Sequence, residues 1–270
     1  MRKNFVYLTI LILIFLIFKN YSIVLTSSIN AVELWLYKVF PYLFIMIVIN
    51  DTLINLGFEK VFKNNSIYAF VMSLLSGSPT SAVIIGSLFK QGKMSKENAN
   101  ITLMFTYFAN PLFLYTMLNA IFGNTNITIK LMLIHYLSNF IIYLIWRKKL
   151  NMNTQNDVTT KFDISGSIKK AMTTTTMVLG AITFYLVISD ILKLNVIFRG
   201  LLEMTQGLNM LINSNLSNPD ILAIIFISFG GLSIHTQVKC ILDEANLEYK
   251  YFLKGRIYQT IIAVILTTLT

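Results

Sequence analysis

"SIYAFVMSLLSGSPTSAVIIGSLFK", residues 66–90, is the stretch on which the fold turns. Each of its apolar halves is about ten residues long, and a helix needs about 20 to cross a bilayer. Between them, Ser76-Gly77-Ser78-Pro79-Thr80-Ser81 places a helix breaker and hydroxyls where a span should run on. Unpaired backbone groups are costly in hydrocarbon, so irregular backbone at membrane depth is tolerated only against protein or a water-filled cavity. The stretch therefore reads as a re-entrant segment whose break is the functional part.

The rest of the chain supports a membrane setting. Of its 270 residues, 55% are hydrophobic and 13% charged, and the mean hydropathy is +0.67. A soluble domain carries about 25% charged residues. The formal charge of +10 does not point to nucleic acid, because Lys and Arg cluster in short polar segments between apolar stretches. That is the pattern of orientation-setting loops. A single cysteine, Cys240, excludes an internal disulfide and a Cys-based metal site. His135 and His235 form no recognisable ligand pair, and neither a metal nor a cofactor is expected.

Working outward, the N-terminus reads as a retained first helix over 4–24, since no small-residue cleavage site follows its apolar run. An amphipathic piece over 28–38 precedes a second span opened by Pro41. Beyond the re-entrant 66–90, helices are predicted over 98–122, with a break at Asn110-Pro111, and over 127–146. These make an N-terminal half, 1–149. A polar cytoplasmic linker, 150–164, separates it from a C-terminal half, 165–270, with a discontinuous segment at 219–239. Arg2 and Lys3 at a cytoplasmic N-terminus, together with a returning 66–90, put Lys60, Lys63, Lys90, Lys93, Lys96 and Arg147-Lys148-Lys149 in the cytoplasm. Only Lys19, Lys38 and Lys130 of this half then lie outside, as the positive-inside rule prefers.

If 219–239 also dips and returns, from the opposite face, the chain is an inverted repeat of the kind secondary transporters use. Against this stand Lys239, Lys250, Lys254 and Arg256, which a full crossing would place in the cytoplasm. The expected fold is thus an all-α polytopic membrane protein, its two inverted halves contributing discontinuous helices that meet at the bilayer midplane.

The helix beginning near Pro79 offers free N–H groups and a positive dipole end, a ready anion site. Gly230-Gly231, followed by Ser233, His235, Thr236 and Gln237, offers the same in the second half. A lone Gly-Ser pair more often serves close helix packing; two breaks, one per half, favour a central site. Asn110-Pro111 reads either as a simple kink or as part of that site. Intramembrane acids are rare and costly, which singles out Glu203 in "LLEMTQGL", unless it pairs with Arg199 at i, i+4. Asp51 and Asp190 read as interfacial.

In order, "KVFPYLF" (38–44), "SGSPTSAVIIGSLFKQGKMSKENA" (76–99), "FTYFANPLFLYTML" (105–118), "SGSIKKAMTTTTMVLG" (165–180), "LLEMTQGL" (201–208) and "SFGGLSIHTQVKCIL" (228–242) resemble the sporulation integral membrane protein YlbJ family. That family sits within the group bearing nucleoside-recognition "gate" domains, and the resemblance covers roughly 35–265. It implies a carrier moving dipicolinic acid across the outer forespore membrane. On that reading, anion contacts fall to Ser76, Ser78, Thr80, Ser233 and Thr236, with backbone access at Gly77, Gly230 and Gly231. Pro79, Pro111, Asn110 and Gln237 complete the site, and Phe105, Tyr107, Phe108 and Phe229 flank the ring. Glu203 and His235 are the candidates for proton or ion coupling. The expected partners are a small organic anion and the lipid bilayer, compatible with a homo-oligomer, and not nucleic acid. A nucleoside carrier is the alternative within transport, and a non-transporting sporulation scaffold the alternative outside it. No protease-like Ser/His or paired-Asp arrangement, phosphate-cradling loop or cofactor motif points to an enzyme.

Overall fold

The computed structural model describes residues 2–151, 162–212, 214 and 216–270. Most of the expected linker, 152–161, lies outside the described residues. Among them the secondary structure is helical throughout, and five helical runs are long and apolar enough to cross a membrane.

The first helix, α1 (Arg2–Lys19), stops at Asn20, earlier than the expected 24, and most of its large apolar side chains are exposed, Phe18 at 78%. The expected amphipathic piece and second span form one run instead. Helix α2 (Tyr21–Leu34) continues through a π turn at Trp35–Val39 into α3 (Phe40–Asn55). A proline ring clashes with the carbonyl four residues back. Here the backbone widens by one residue, the N–H of Phe40 reaching the carbonyl of Trp35, and Pro41 is absorbed without ending the helix.

Helices α4 (Asn65–Ser76) and α5 (Thr80–Lys90) pack side by side as a hairpin over the break, sharing Tyr68, Met72, Ile84 and Leu88 in one core. Each arm is about 16–18 Å long, against an apolar thickness of about 30 Å. The predicted helix 98–122 is not continuous. It is α6 (Lys96–Thr102), an irregular stretch over 103–110, and α7 (Pro111–Phe122). The residue before a proline is pushed out of the helical region. Asn110 adopts φ −55°, ψ 133° and caps α7 with its side chain. Helix α8 (Thr125–Trp146) closes this half.

The second half runs in the same order. It comprises a long helix, α9 (Ile164–Ile191); a hairpin of α10 (Val196–Leu202) and α11 (Met204–Leu211); a broken crossing of α12 (Pro219–Phe229) and α13 (Gly231–Glu244); and a long helix, α14 (Tyr249–Leu269). The expectation that 219–239 returns to its own side is overturned. The segment is discontinuous at Gly230, but α12 and α13 do not lie side by side, and the folded-back element is 196–211. The turn at Glu203 reverses the chain with both arms short. The left-handed Gly230, φ +90°, only re-aims a helix that then continues.

Equivalent long helices run antiparallel. Ser27 Oγ donates to Asp190 at 2.6 Å near one end of the α2/α3–α9 pair, and Ser167 Oγ donates to Asp51 at 2.8 Å near the other. Between them, Trp35 Nε1 donates to the Thr175 carbonyl at 2.8 Å. In the α8–α14 pair, Gln259 meets His135 and Arg256 meets Asn139. The basic residues gather at one end. Lys93 pairs with Glu59 at 2.9 Å and Lys170 with Asp51 at 2.6 Å, while Lys90, Lys169 and Lys170 border one cavity with Glu244.

Candidate functional site

Each half interrupts its helices twice, and the four interruptions converge. The Ser78 N–H donates to the Phe108 carbonyl at 2.7 Å, tying the first hairpin to the irregular stretch 103–110. A Cβ on Gly77 (φ +74°) would come within 3.0 Å of the Asn110 nitrogen, so this approach requires glycine. On the other side, a Cβ on Gly230 would come within 2.5 Å of Tyr107 Oη, and one on Gly231 within 3.0 Å of the Met204 nitrogen. Four helices, α5, α7, α11 and α13, therefore begin close together in the centre of the bundle.

The irregular stretch 103–110 is buried, and its backbone groups find side chains. The Ala109 N–H donates to His135 Nε2 at 3.1 Å, and the Tyr136 hydroxyl donates to the Ala109 carbonyl at 3.4 Å. Asn139 Nδ2 donates to the Tyr107 carbonyl. Polar residues at i and i+4 of α8 thus satisfy a segment that lipid would not tolerate.

A cavity of about 570 Å³ occupies the meeting point. Ser76, Ser78, Pro79, Asn110, Glu203 and Gln237 of the sequence candidates line it, with Tyr107 as one wall. Two of these carry buried donors without a hydrogen bond of good geometry among the described residues: Ser78 Oγ, and Asn110 Nδ2, whose side chain lies beside the Tyr42 hydroxyl in the same lining. The same holds for Thr80 Oγ1, two residues beyond Ser78. Asn110 is arranged for two tasks, because its Oδ1 accepts from the N–H groups of Leu112 at 2.9 Å and Phe113 at 3.1 Å while its amide nitrogen stays unspent.

Glu203 does not pair with Arg199. That arginine turns to Asp190, and Glu203 caps α11, its Oε2 accepting the Gln206 N–H at 2.7 Å. Asp51 and Asp190 are not bare interfacial acids. Asp51 takes Lys170 and Ser167, and Asp190 takes Arg199 and Ser27.

Other candidates lie elsewhere. His235 sits between the Phe229 carbonyl at 3.0 Å and the Tyr249 hydroxyl at 2.6 Å, ringed by Phe229 and Phe252, and does not line the cavity. A carbonyl only accepts, so Nε2 carries the hydrogen and Nδ1 takes the tyrosine proton. Thr236 bonds Tyr185 at 2.7 Å, and Ser233 accepts from Gln237 at 3.2 Å. Phe105 and Phe108 pack on Phe70, away from the cavity, and Pro111 opens α7.

The residue missed by sequence reasoning is Arg256. It is fully buried within α14, with its guanidinium 4.2 Å from the centre of the Tyr107 ring. Its signal was present: Arg256 and Gln259 are spaced i, i+3 on one face of an apolar span.

Fold and site together define a multi-pass, all-helical integral membrane protein with discontinuous helices around a largely apolar central cavity that a few polar side chains enter. No family model matches the chain, and no solved structure matches it. It is similar to the sporulation integral membrane protein YlbJ of Bacillus subtilis (strain 168), at 22% identity in an alignment that covers 90% of this chain and 76% of that protein. The ordered motifs and this alignment agree: the chain resembles the YlbJ family over nearly its whole length.

Proposed function

We propose that this protein is a sporulation carrier for a small organic anion, dipicolinate being the ligand that its likeness to YlbJ suggests. The observation that carries the reading is the pair of unspent donors, Ser78 Oγ and Asn110 Nδ2, at a cavity of about 570 Å³ where α5 and α7 begin. Helix N-termini favour negative charge, and free hydroxyl and amide donors suit a carboxylate better than a neutral ring. Dipicolinate, a planar dianion, has one carboxylate for each broken-helix layer.

The halves 1–149 and 165–270 act as an inverted repeat rocking about this site. The basic end faces the cytoplasm, which places Lys239, Lys250 and Lys254 there with Lys90 and Lys170, the N-terminus on the same side, and Lys193 and Arg199 opposite. The membrane is the outer forespore membrane. Glu203, a buried cavity carboxylate without a cationic partner among the described residues, is the coupling group. A nucleoside carrier is the second reading, favoured by the carboxylate and amides of Glu203, Asn209 and Gln237 in the same wall.

The test is uptake by purified protein in liposomes, with labelled dipicolinate and labelled uridine side by side. Saturable dipicolinate uptake that falls about tenfold or more in Ser78→Ala matches the loss of a hydrogen bond to a charged group. Uptake of uridine alone moves the assignment to the second reading. Uptake of neither, by folded protein, overturns the carrier and leaves a scaffold.

A further inference from the structure

Helix α14 carries a positive charge into the centre of the bundle and pairs it with nothing of opposite sign. Arg256 has no accessible surface. Its Nη atoms donate to the Ser228 carbonyl at 3.4 Å, the Met104 carbonyl at 3.3 Å, Asn139 Oδ1 at 3.4 Å and Gln259 Oε1. Its Nε has no partner, and among the described residues no carboxylate pairs with it. Every acceptor is neutral and most bonds are long. A purely structural staple between α14, α8 and α12 needs no net charge, and an intramembrane charge is costly enough to mark function by default.

The position of the charge suggests its use. The guanidinium lies against one side of Tyr107, and Tyr107 is a wall of the cavity. Glu203, the acid in the same lining, has its carboxylate on the N-terminus of α11. The cavity is thus backed by a buried cation that no carboxylate contacts among the described residues, in addition to Lys38 in its lining.

We propose that Arg256 is the fixed counter-charge of the cavity, selecting anions over neutral ligands of the same shape by its field through Tyr107. This rests on the anion-carrier reading above and assigns the residue that sets its charge selectivity. A ligand on the cavity side of the ring sits about 8 Å from the guanidinium, where an effective dielectric of about 20 makes one charge worth on the order of tenfold in affinity. The effect scales with ligand charge, which a packing role would not produce.

The experiment measures binding of dipicolinate and of its neutral diamide to the purified full chain by titration calorimetry. Wild type is expected to favour the diacid. Arg256→Gln should weaken diacid binding by about tenfold or more and leave the diamide within about twofold, while Arg256→Lys keeps the preference. Ser228→Asp is the second variant. It adds a carboxylate at the residue whose carbonyl already accepts from the guanidinium, cancels the charge with the arginine in place, and should lose the preference too. A folded Arg256→Gln with an unchanged diacid-to-diamide ratio, or an equal fall for both ligands, overturns the inference. Should Arg256→Gln fail to fold, the ratio in Ser228→Asp decides in the same way. A wild-type protein with no preference for the diacid instead overturns the anion-carrier reading, and this inference with it.

Discussion

At the scale of single residues, the centre depends on atoms that are absent as much as on those present. Gly230 has φ +90° and faces Tyr107 Oη, so Gly230→Ala meets both backbone strain and a clash. A loss of roughly 1–3 kcal/mol is expected from the backbone alone, read as lower thermal stability in detergent. Adding Tyr107→Phe should restore part of it, because the blocking hydroxyl is gone. Asn110 separates stability from binding. Asn110→Ser keeps a good cap and should change stability by only about 0.5 kcal/mol, while uptake falls severalfold for want of the amide donor. Ser78, Asn110, Glu203 and Gln237 were legible in the sequence as polar residues at or beside breaks in apolar runs. Arg256 was not, because it was counted with Lys239, Lys250 and Lys254 as a charge preferring the cytoplasm, and only the packing of α14 against α8 and α12 showed it inside.

At the scale of elements, breaks alone do not say whether a chain turns back or goes on. The interruptions at 76–79 and 203 fold their arms into hairpins, whereas those at 103–110 and 230 lie within crossings. Sequence reading paired 66–90 with 219–239, since both are apolar stretches split by glycine. The element equivalent to 66–90 is the less apolar 196–211. The long helices are clamped at both ends, Asp51 with Lys170 and Ser167, Asp190 with Arg199 and Ser27. Asp51→Asn should destabilise by about 1–3 kcal/mol, because Lys170 is 36% exposed and partly screened while Asp51 is buried. Asp51→Asn combined with Lys170→Met should lose less than the sum of the singles, measured as a double-mutant cycle in chemical unfolding.

At the scale of the whole molecule, the continuous crossing of α12 and α13 sets the second half relative to the first, and the proposed orientation follows from it. With α12 and α13 as one crossing, Lys239, Lys250 and Lys254 join the basic end, and the conflict with the positive-inside rule disappears. The lone Cys240 makes this testable. In a Cys240→Ser background produced in the plasma membrane of non-sporulating cells, Lys254→Cys should resist a membrane-impermeant maleimide in intact cells and react after permeabilisation. Lys193→Cys should react in intact cells. Labelling in the reverse pattern would reject the orientation, and equal labelling of both would reject the full crossing.

The sequence by itself determined the solvent of this protein, the number of apolar stretches and the places where they break, because hydropathy and backbone chemistry are local properties. A run of apolar residues or a Ser-Gly-Ser-Pro interruption means the same wherever it sits. Only the tertiary structure decided which breaks fold back, which polar groups they share and where the unpaired charge lies. Those outcomes depend on contacts between residues far apart in the chain: Ser78 with Phe108, Tyr107 with Gly230 and Arg256, Asn110 with Gly77. In a membrane a backbone or charged group finds no water to bond, and takes a partner from a distant segment instead, as the Ser78 N–H does with the Phe108 carbonyl and Arg256 with its ring of neutral acceptors.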